Sequence, residues 1–196
     1  MIERLQQTLA AHTKIRLMDT GRTVAAVLIP CYIKNGEYHL LFIQRTDRVR
    51  DHKSQISFPG GAHEQVDRDL QETALRETEE EIGVAQQHIR VLGELDDMAT
   101  AGTKYVISPY VGIIPYPYHF KVDEFETEEI IEVPISALLK KDCCDEGSAL
   151  VDGKEIESYF YRYNGKVIWG ATARILKQFL EIISDVLAQG ARLETE

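Results

Sequence analysis

Residues 56–83 read ISFPGGAHEQVDRDLQETALRETEEEIG, a double-glycine loop followed by a helix-like stretch that ends in Arg76, Glu77, Glu79, Glu80 and Glu81. Few folds tolerate such a segment. Carboxylates spaced i, i+3 and i+4 share a helix face, so Glu77, Glu80 and Glu81 should repel by roughly 0.2–0.5 kcal/mol per pair. The spacing predicts a helix from near Asp69 to near Gly83, with Leu75, Thr78 and Ile82 on one side and the three glutamates nearly opposite. Such a carboxylate ridge suits hard divalent cations, because Mg²⁺ and Mn²⁺ take oxygen ligands and convert the repulsion into coordination. Taken alone, a Glu-rich helical face is more often a solvated surface, with Arg76 and neighbouring charges supplying ordinary pairs. The glycines of Pro59-Gly60-Gly61 let the backbone approach a ligand closely.

The rest of the chain supplies strands and helices in alternation. Ile2, Leu5 and Leu9 predict an amphipathic helix over about 1–18. TVAAVLIPCYI from Thr23 and YHLLFIQR from Tyr38 read as strands joined by an Asn35-Gly36 turn, and a second Asn-Gly pair, Asn164-Gly165, turns YFYRY back into KVIW. Further strands are expected at 89–95 and 104–115. Ile175, Phe179, Ile183 and Leu187 mark a closing helix over about 171–189, which Gly190 can terminate. Together these elements predict a single mixed α/β domain spanning 1–196.

Charge and cysteine content narrow the function. Thirty-two acidic against 22 basic residues give a formal charge of −10, which argues against a nucleic-acid backbone or an anionic membrane surface as partner. A small anionic substrate stays compatible if cations bring it in. No apolar run approaches a bilayer span, the N-terminus lacks a signal-peptide core, and Cys31, Cys143 and Cys144 form neither a disulfide framework nor zinc spacing. The chain is therefore expected to be cytoplasmic, with three free thiols.

Gly61, Asp67, Arg76-Glu77, Glu80-Glu81 and Gly83 resemble the Nudix box, GX5EX7REUXEEXGU with U bulky and apolar. Asp67 stands where the box has Glu, eight residues rather than seven separate it from Arg76, and Thr78 replaces the apolar U. The preceding LFIQRTDRVRDHKSQISFPGG is similar to the LLTXR(S/A)X3RX3GX3FPGG signature of the coenzyme A pyrophosphatase branch. Leu41, Arg45, Arg50 and Phe58-Pro59-Gly60-Gly61 fall on their places, whereas Phe42, Ile43, Thr46 and Ser54 differ. The resemblance implies an α/β/α sandwich with a mixed central sheet flanked by helices. It also implies Mg²⁺- or Mn²⁺-dependent hydrolysis of the pyrophosphate bond of coenzyme A or an acyl or oxidised derivative. Another nucleoside diphosphate linked to X, or a non-catalytic sensing role, is the alternative.

On this resemblance Glu77, Glu80 and Glu81 hold metal with a carbonyl of the Gly60-Gly61 loop, namely Gly61. Arg76 orients the glutamates, and Glu77 is the favoured base. A distant acid is expected from EFETEEIIEVP, with Glu126 preferred to Glu129. Arg45, Arg48, Arg50, His52 and Lys53 form the densest cationic stretch, and guanidinium forks suit phosphates, so Arg45 and Arg50 are the named substrate contacts together with Gly60 and Gly61. His63 could assist the water or lie on the surface. Trp169 and Tyr159-Phe160-Tyr161 could stack an adenine or belong to the core. A homodimer is left open.

Overall fold

In the computed structural model, which describes residues 1–18, 21–48, 54–101, 104–151 and 153–193, the two Asn-Gly pairs form the tight turns that their chemistry requires. Asn35 and Gly36 adopt φ of 53° and 79°, Asn164 and Gly165 adopt 47° and 78°, and each pair closes an antiparallel hairpin. The elements in chain order are α1 (Ile2–Ala11), β1 (Thr23–Lys34), β2 (Glu37–Arg45), β3 (Ile56–Ser57), β4 (Gly60–Ala62), α2 (Leu70–Ile82), β5 (Arg90–Glu94), β6 (Met98–Ala99), β7 (Tyr105–Ile113), β8 (Thr127–Pro134), α3 (Ile135–Leu138), β9 (Cys144–Val151), β10 (Lys154–Tyr163), β11 (Lys166–Ile168) and α4 (Gly170–Leu193).

β1 organises the sheet. Its first half pairs antiparallel with β4, its second half with β2, and nearly its whole length runs parallel to β7, from Thr23 opposite Tyr105 to Cys31 opposite Ile113. β8 extends the sheet beyond β2 and β5 extends it beyond β7. Because both faces are covered, β1 and β2 are apolar almost throughout, and alternate residues serve different layers. Ala26, Leu28, Tyr32, Leu41 and Ile43 pack with Ala74 and Ile82 of α2, while Ile29, Cys31, Leu40 and Phe42 pack in the core shared with α1 and α4. The result is the expected mixed sheet with flanking helices, joined by a second sheet of order β11-β10-β9. Among the described residues no helix is long and apolar enough to cross a membrane.

Two helix boundaries differ from expectation. α1 stops at Ala11 rather than near 18, because residues 12–18 find other partners for their backbone. Ile15 N–H donates to Asp96 Oδ1 at 2.8 Å, Leu17 N–H to Asp97 Oδ2 at 3.0 Å, and the Ile15 carbonyl accepts from Asp97 N–H. At the other end α4 runs through Gly190 to Leu193. A helical glycine costs only about 1 kcal/mol, too little to stop a helix already packed along its length. Tyr161 is buried in the core and Tyr159 packs against it under Lys177, which settles these two rings as packing residues, and the three cysteines are free thiols.

Candidate active site

α2 begins and ends on ordinary capping chemistry. The Asp69 carboxylate accepts from Glu72 N–H at 2.8 Å, and Gly83 closes the last turn in the left-handed region with φ of 73°. Between these caps the helix lies over β1 and β4. Gly61 allows that approach of the helix, and Gly60 lets β4 lie close against β1. A Cβ on Gly60, whose φ is 152°, would come within 2.3 Å of the Ala26 carbonyl oxygen, and one on Gly61 would lie 2.5 Å from the Glu77 carboxyl carbon. Gly61 is thus the floor on which the Glu77 carboxylate rests.

The carboxylates do not form an outward ridge opposite a buried apolar face. Glu81 is 2% exposed and lies on the buried side with Thr73, Ala74, Thr78 and Ile82; Glu77 is half-buried, and Leu75 is not part of the fully buried set. Of Glu77, Glu80 and Glu81, only Glu80 faces solvent broadly, with 58% of its side chain exposed. Gly61 leaves room for the Glu77 carboxylate, and Gly60 N–H holds the inward-turned Glu81. Thr78 occupies the apolar position of the motif without penalty, since its hydroxyl donates to the Ala74 carbonyl at 2.6 Å.

Asp67 and Arg76 form the rigid part of the site. Asp67 accepts from Arg76 Nε at 2.8 Å and Nη2 at 3.0 Å, from Glu64 N–H at 3.0 Å and from the Thr73 hydroxyl at 2.9 Å. The paired guanidinium holds its carboxyl well below the usual carboxylate range, outweighing burial. Thus the shorter acid, one residue further from Arg76, still makes a bidentate pair. Arg76 Nη1 then reaches Glu77 at 2.9 Å and Glu80 at 3.0 Å. His63 stands 2.9 Å from the Thr73 hydroxyl and 3.7 Å from Asp67, in the network behind Arg76.

Glu81 accepts from Gly60 N–H at 2.9 Å and from Arg45 Nη1 at 3.1 Å. Burial nevertheless pushes its pKa up to about 8, with the charges of Glu77 and Glu126 acting in the same direction. Burial likewise raises Glu77 despite Arg76. Arg45 sits where the pairing of β2 with β8 slips, Gln44 opposing Glu129 and Arg45 opposing Thr127, an irregularity of the kind that re-aims side chains next to active sites. Its Nη2 lies 3.6 Å from Glu126. Of the two acids considered in the 124–134 segment, Glu126 joins this group, whereas Glu129 pairs with Lys166. Arg50, with His52 and Lys53, lies outside the described residues.

The pattern of motifs did not single out Thr46 or Asp123, which fix the Glu126 loop. Thr46 N–H donates to the Glu126 carbonyl at 2.9 Å and its hydroxyl to the Phe125 carbonyl at 2.6 Å; Asp123 N–H donates to the Glu81 carbonyl, and its carboxylate accepts from Phe125 N–H. The Asp-x-Phe spacing is the available signal, since Asp side chains commonly bond backbone two residues on. Among the described residues, no three His, Cys, Asp or Glu side chains are gathered closely enough to hold a metal ion as they stand. Arg76 holds two of the glutamates and Arg45 the third. The donor set is nevertheless all oxygen, partly desolvated and, among the described residues, short of cations, which fits a hard divalent ion.

Residues 22–141 match the NUDIX domain family. A Photorhabdus laumondii protein named "Uncharacterized Nudix hydrolase NudL" is 36% identical over 166 residues, covering 85% of this chain and 87% of its own length. A namesake from Citrobacter koseri is 33% identical over 158 residues, 81% of each chain. Among solved structures, a MutT/nudix family protein from Enterococcus faecalis superposes with a TM-score of 0.57 at 14% identity, over 91% of this chain and 68% of that one. The NUDIX domain of Shewanella oneidensis NrtR, complexed with ADP ribose, gives 0.50 at 17% identity, over 62% and 78%. At such identities the structural likeness speaks for the fold.

Proposed function

Because the chain belongs to the NUDIX domain family and is a Nudix pyrophosphohydrolase, we propose that it hydrolyses the pyrophosphate bond of coenzyme A, or of an acylated or oxidised coenzyme A. The products are 4′-phosphopantetheine, or its derivative, and adenosine 3′,5′-bisphosphate. Residues 1–196 act in this reading as one catalytic unit. The observation that carries the chemistry is the packing of half-buried Glu77 and buried Glu81 against the Gly60-Gly61 strand, carboxylates that among the described residues have fewer cations than their number demands. The coenzyme A preference rests on the residues before the glycines, where Arg45 and Arg50 stand in the LFIQRTDRVRDHKSQISFPGG segment.

Glu77, Glu80 and Glu81, the Gly61 carbonyl and Glu126 are the proposed ligands for Mg²⁺ or Mn²⁺. Bound there, the cation supplies charge neutralisation at the phosphoanhydride and a more acidic water. Arg76, fixed by Asp67, aims Glu77 and Glu80. Glu77 takes the proton of the attacking water, and the lift that burial gives its pKa is the direction a base working near neutral pH needs. The water oxygen forms a bond to phosphorus as the bridging P–O bond breaks, and the departing phosphate carries away the electron pair. Arg45 and Arg50 receive the phosphates, and the backbone of Gly60 and Gly61 supplies further contacts.

The test ranks kcat/KM for free, acetylated and disulfide coenzyme A against nucleotide sugars and dinucleotides, with Mg²⁺ and with Mn²⁺. A coenzyme A species should lead the panel. Dephospho-coenzyme A should fall behind coenzyme A by about tenfold to a hundredfold, the worth of one charge-assisted contact to the 3′-phosphate. A nucleotide sugar or dinucleotide at the top would instead favour hydrolysis of a different nucleoside diphosphate linked to X.

A further inference from the structure

Arg45 occupies a place that its role as a substrate contact does not explain. Its side chain is only 19% exposed, and its guanidinium spans two carboxylates from separate segments, Glu81 on α2 and Glu126 on the loop before β8. Glu81 has no room to turn away, because it is buried and held from behind by Gly60 N–H. The Glu126 loop is likewise pinned, through Thr46 and through Asp123 to the carbonyl of Glu81 itself. A fixed carboxylate on α2 and a second carried on a pinned loop therefore face one long, rotatable cation. Glu81 cannot turn away without breaking its hydrogen bond to Gly60 N–H, whereas the arginine can swing out with no such loss.

We infer that Arg45 is the resident counter-ion of the metal-free site: it stands in for the divalent cation between Glu81 and Glu126, and the incoming metal must displace it. This rests on the reading that Glu81 ligates metal. The arrangement has two consequences. Without metal, Arg45 keeps two anionic segments together that would otherwise repel. With metal, the same guanidinium is released at the edge of the site, where a phosphate is the next anion available to it. Metal binding and phosphate recognition are thereby coupled through one side chain, and the coupling costs metal affinity.

Mn²⁺ binding to the full chain, freed of metal by chelation and measured by electron paramagnetic resonance without substrate, tests this. Arg45→Met removes the competitor and should tighten Mn²⁺ binding by roughly threefold to thirtyfold. Arg48→Met removes the same charge from the exposed neighbouring turn and should shift affinity far less. The second readout is thermal: without metal Arg45→Met should melt below the wild type, and saturating Mn²⁺ should close most of that gap. If Arg45→Met does not fold, Arg45→Lys, whose single ammonium cannot span both carboxylates, should tighten Mn²⁺ binding in the same direction by a smaller factor. Equal or weaker binding in the folded variant overturns the inference and leaves the metal assignment standing. Binding to neither wild type nor variant overturns both.

Discussion

Two clusters of carboxylates sit in this protein, and they are built on opposite principles. Where β5 leads into β6, Glu94, Asp96 and Asp97 meet a surplus of donors. Lys14 lies 2.9 Å from Glu94 and 2.8 Å from Asp97, and Arg16 reaches Glu94. Asp96 accepts from Ile15 N–H and Gln178 and lies 2.8 Å from His12; Asp97 accepts from Ser108 and Leu17 N–H. Burial works against the charge on both aspartates, yet these hydrogen bonds outweigh it and both pKa values fall. At α2 the supply is short. Glu77, Glu80, Glu81 and Glu126 share two arginines, and burial raises Glu77 and Glu81. The first cluster is finished as folded; the second is complementary to charge that the described residues do not provide. That deficit, rather than the number of acidic residues, separates a candidate site from a structural staple.

The sharpest way to break this contrast is Glu81→Gln. If Glu81 awaits a cation, the variant should lose turnover by about a thousandfold, since a metal contact supplies several kcal/mol of transition-state stabilisation. Its melting temperature should hold or rise, because the amide keeps the Gly60 hydrogen bond and removes a charge that burial opposes. Near-normal turnover in a folded variant would place Glu81 among the structural carboxylates.

Asp67 joins both types, being a saturated carboxylate inside the deficient site. Asp67→Asn should halve the grip on Arg76 and leave Glu77 and Glu80 poorly aimed. The expected loss is roughly tenfold to a hundredfold in kcat with KM little changed, accompanied by a lower melting temperature. A stability loss with kcat intact would mean that Arg76 needs no anchor.

The local chemistry of this contrast was legible and its long-range part was not. Asp69 and Gly83 set the ends of α2, and the Asn-Gly pairs set both hairpins, because each acts through its immediate neighbours. The fold class followed from the strand and helix periods, and the Nudix resemblance brought Glu77, Glu80 and Glu126 forward as candidate donors. The inward position of Glu81 was hidden, since the backbone N–H that holds it, that of Gly60, lies 21 residues earlier. The extended course of residues 12–18 was hidden for the same reason: its partners, Asp96 and Asp97, lie about 80 residues away. Arg45 has the composition of a phosphate ligand, and only the strand slip beside it reveals that it faces two carboxylates.

A converse test acts on the finished cluster. Asp97→Asn leaves the largely buried Lys14, with 4% of its side chain exposed, without one of its two carboxylate partners. The cost should be about 2–4 kcal/mol, which for a chain of this size lowers the melting temperature by on the order of 10 °C. Turnover at a temperature where both proteins are folded should stay within about twofold of wild type. A comparable loss of kcat would connect this cluster to the chemistry after all.

The smallest effect is a change in that difference with pH, and its sign is fixed by the direction of the Asp97 shift. Asp97 titrates below its ordinary 3.8 in the folded protein, so the unfolded chain takes up its proton first as the solution is acidified. Its stabilising contribution is therefore fully present above about pH 5 and is lost as the pH falls through 4 toward the folded value. The Asn side chain cannot titrate, so the melting-temperature gap between wild type and Asp97→Asn should be constant from pH 7 to 5 and narrow between pH 4 and 3. Subtracting the variant removes the contributions of Asp67 and Asp96, which titrate in the same direction in both proteins. A gap that already closes between pH 7 and 5 would mean that Asp97 is protonated there, as a carboxylate short of donors would be, and the distinction between the two clusters would fail.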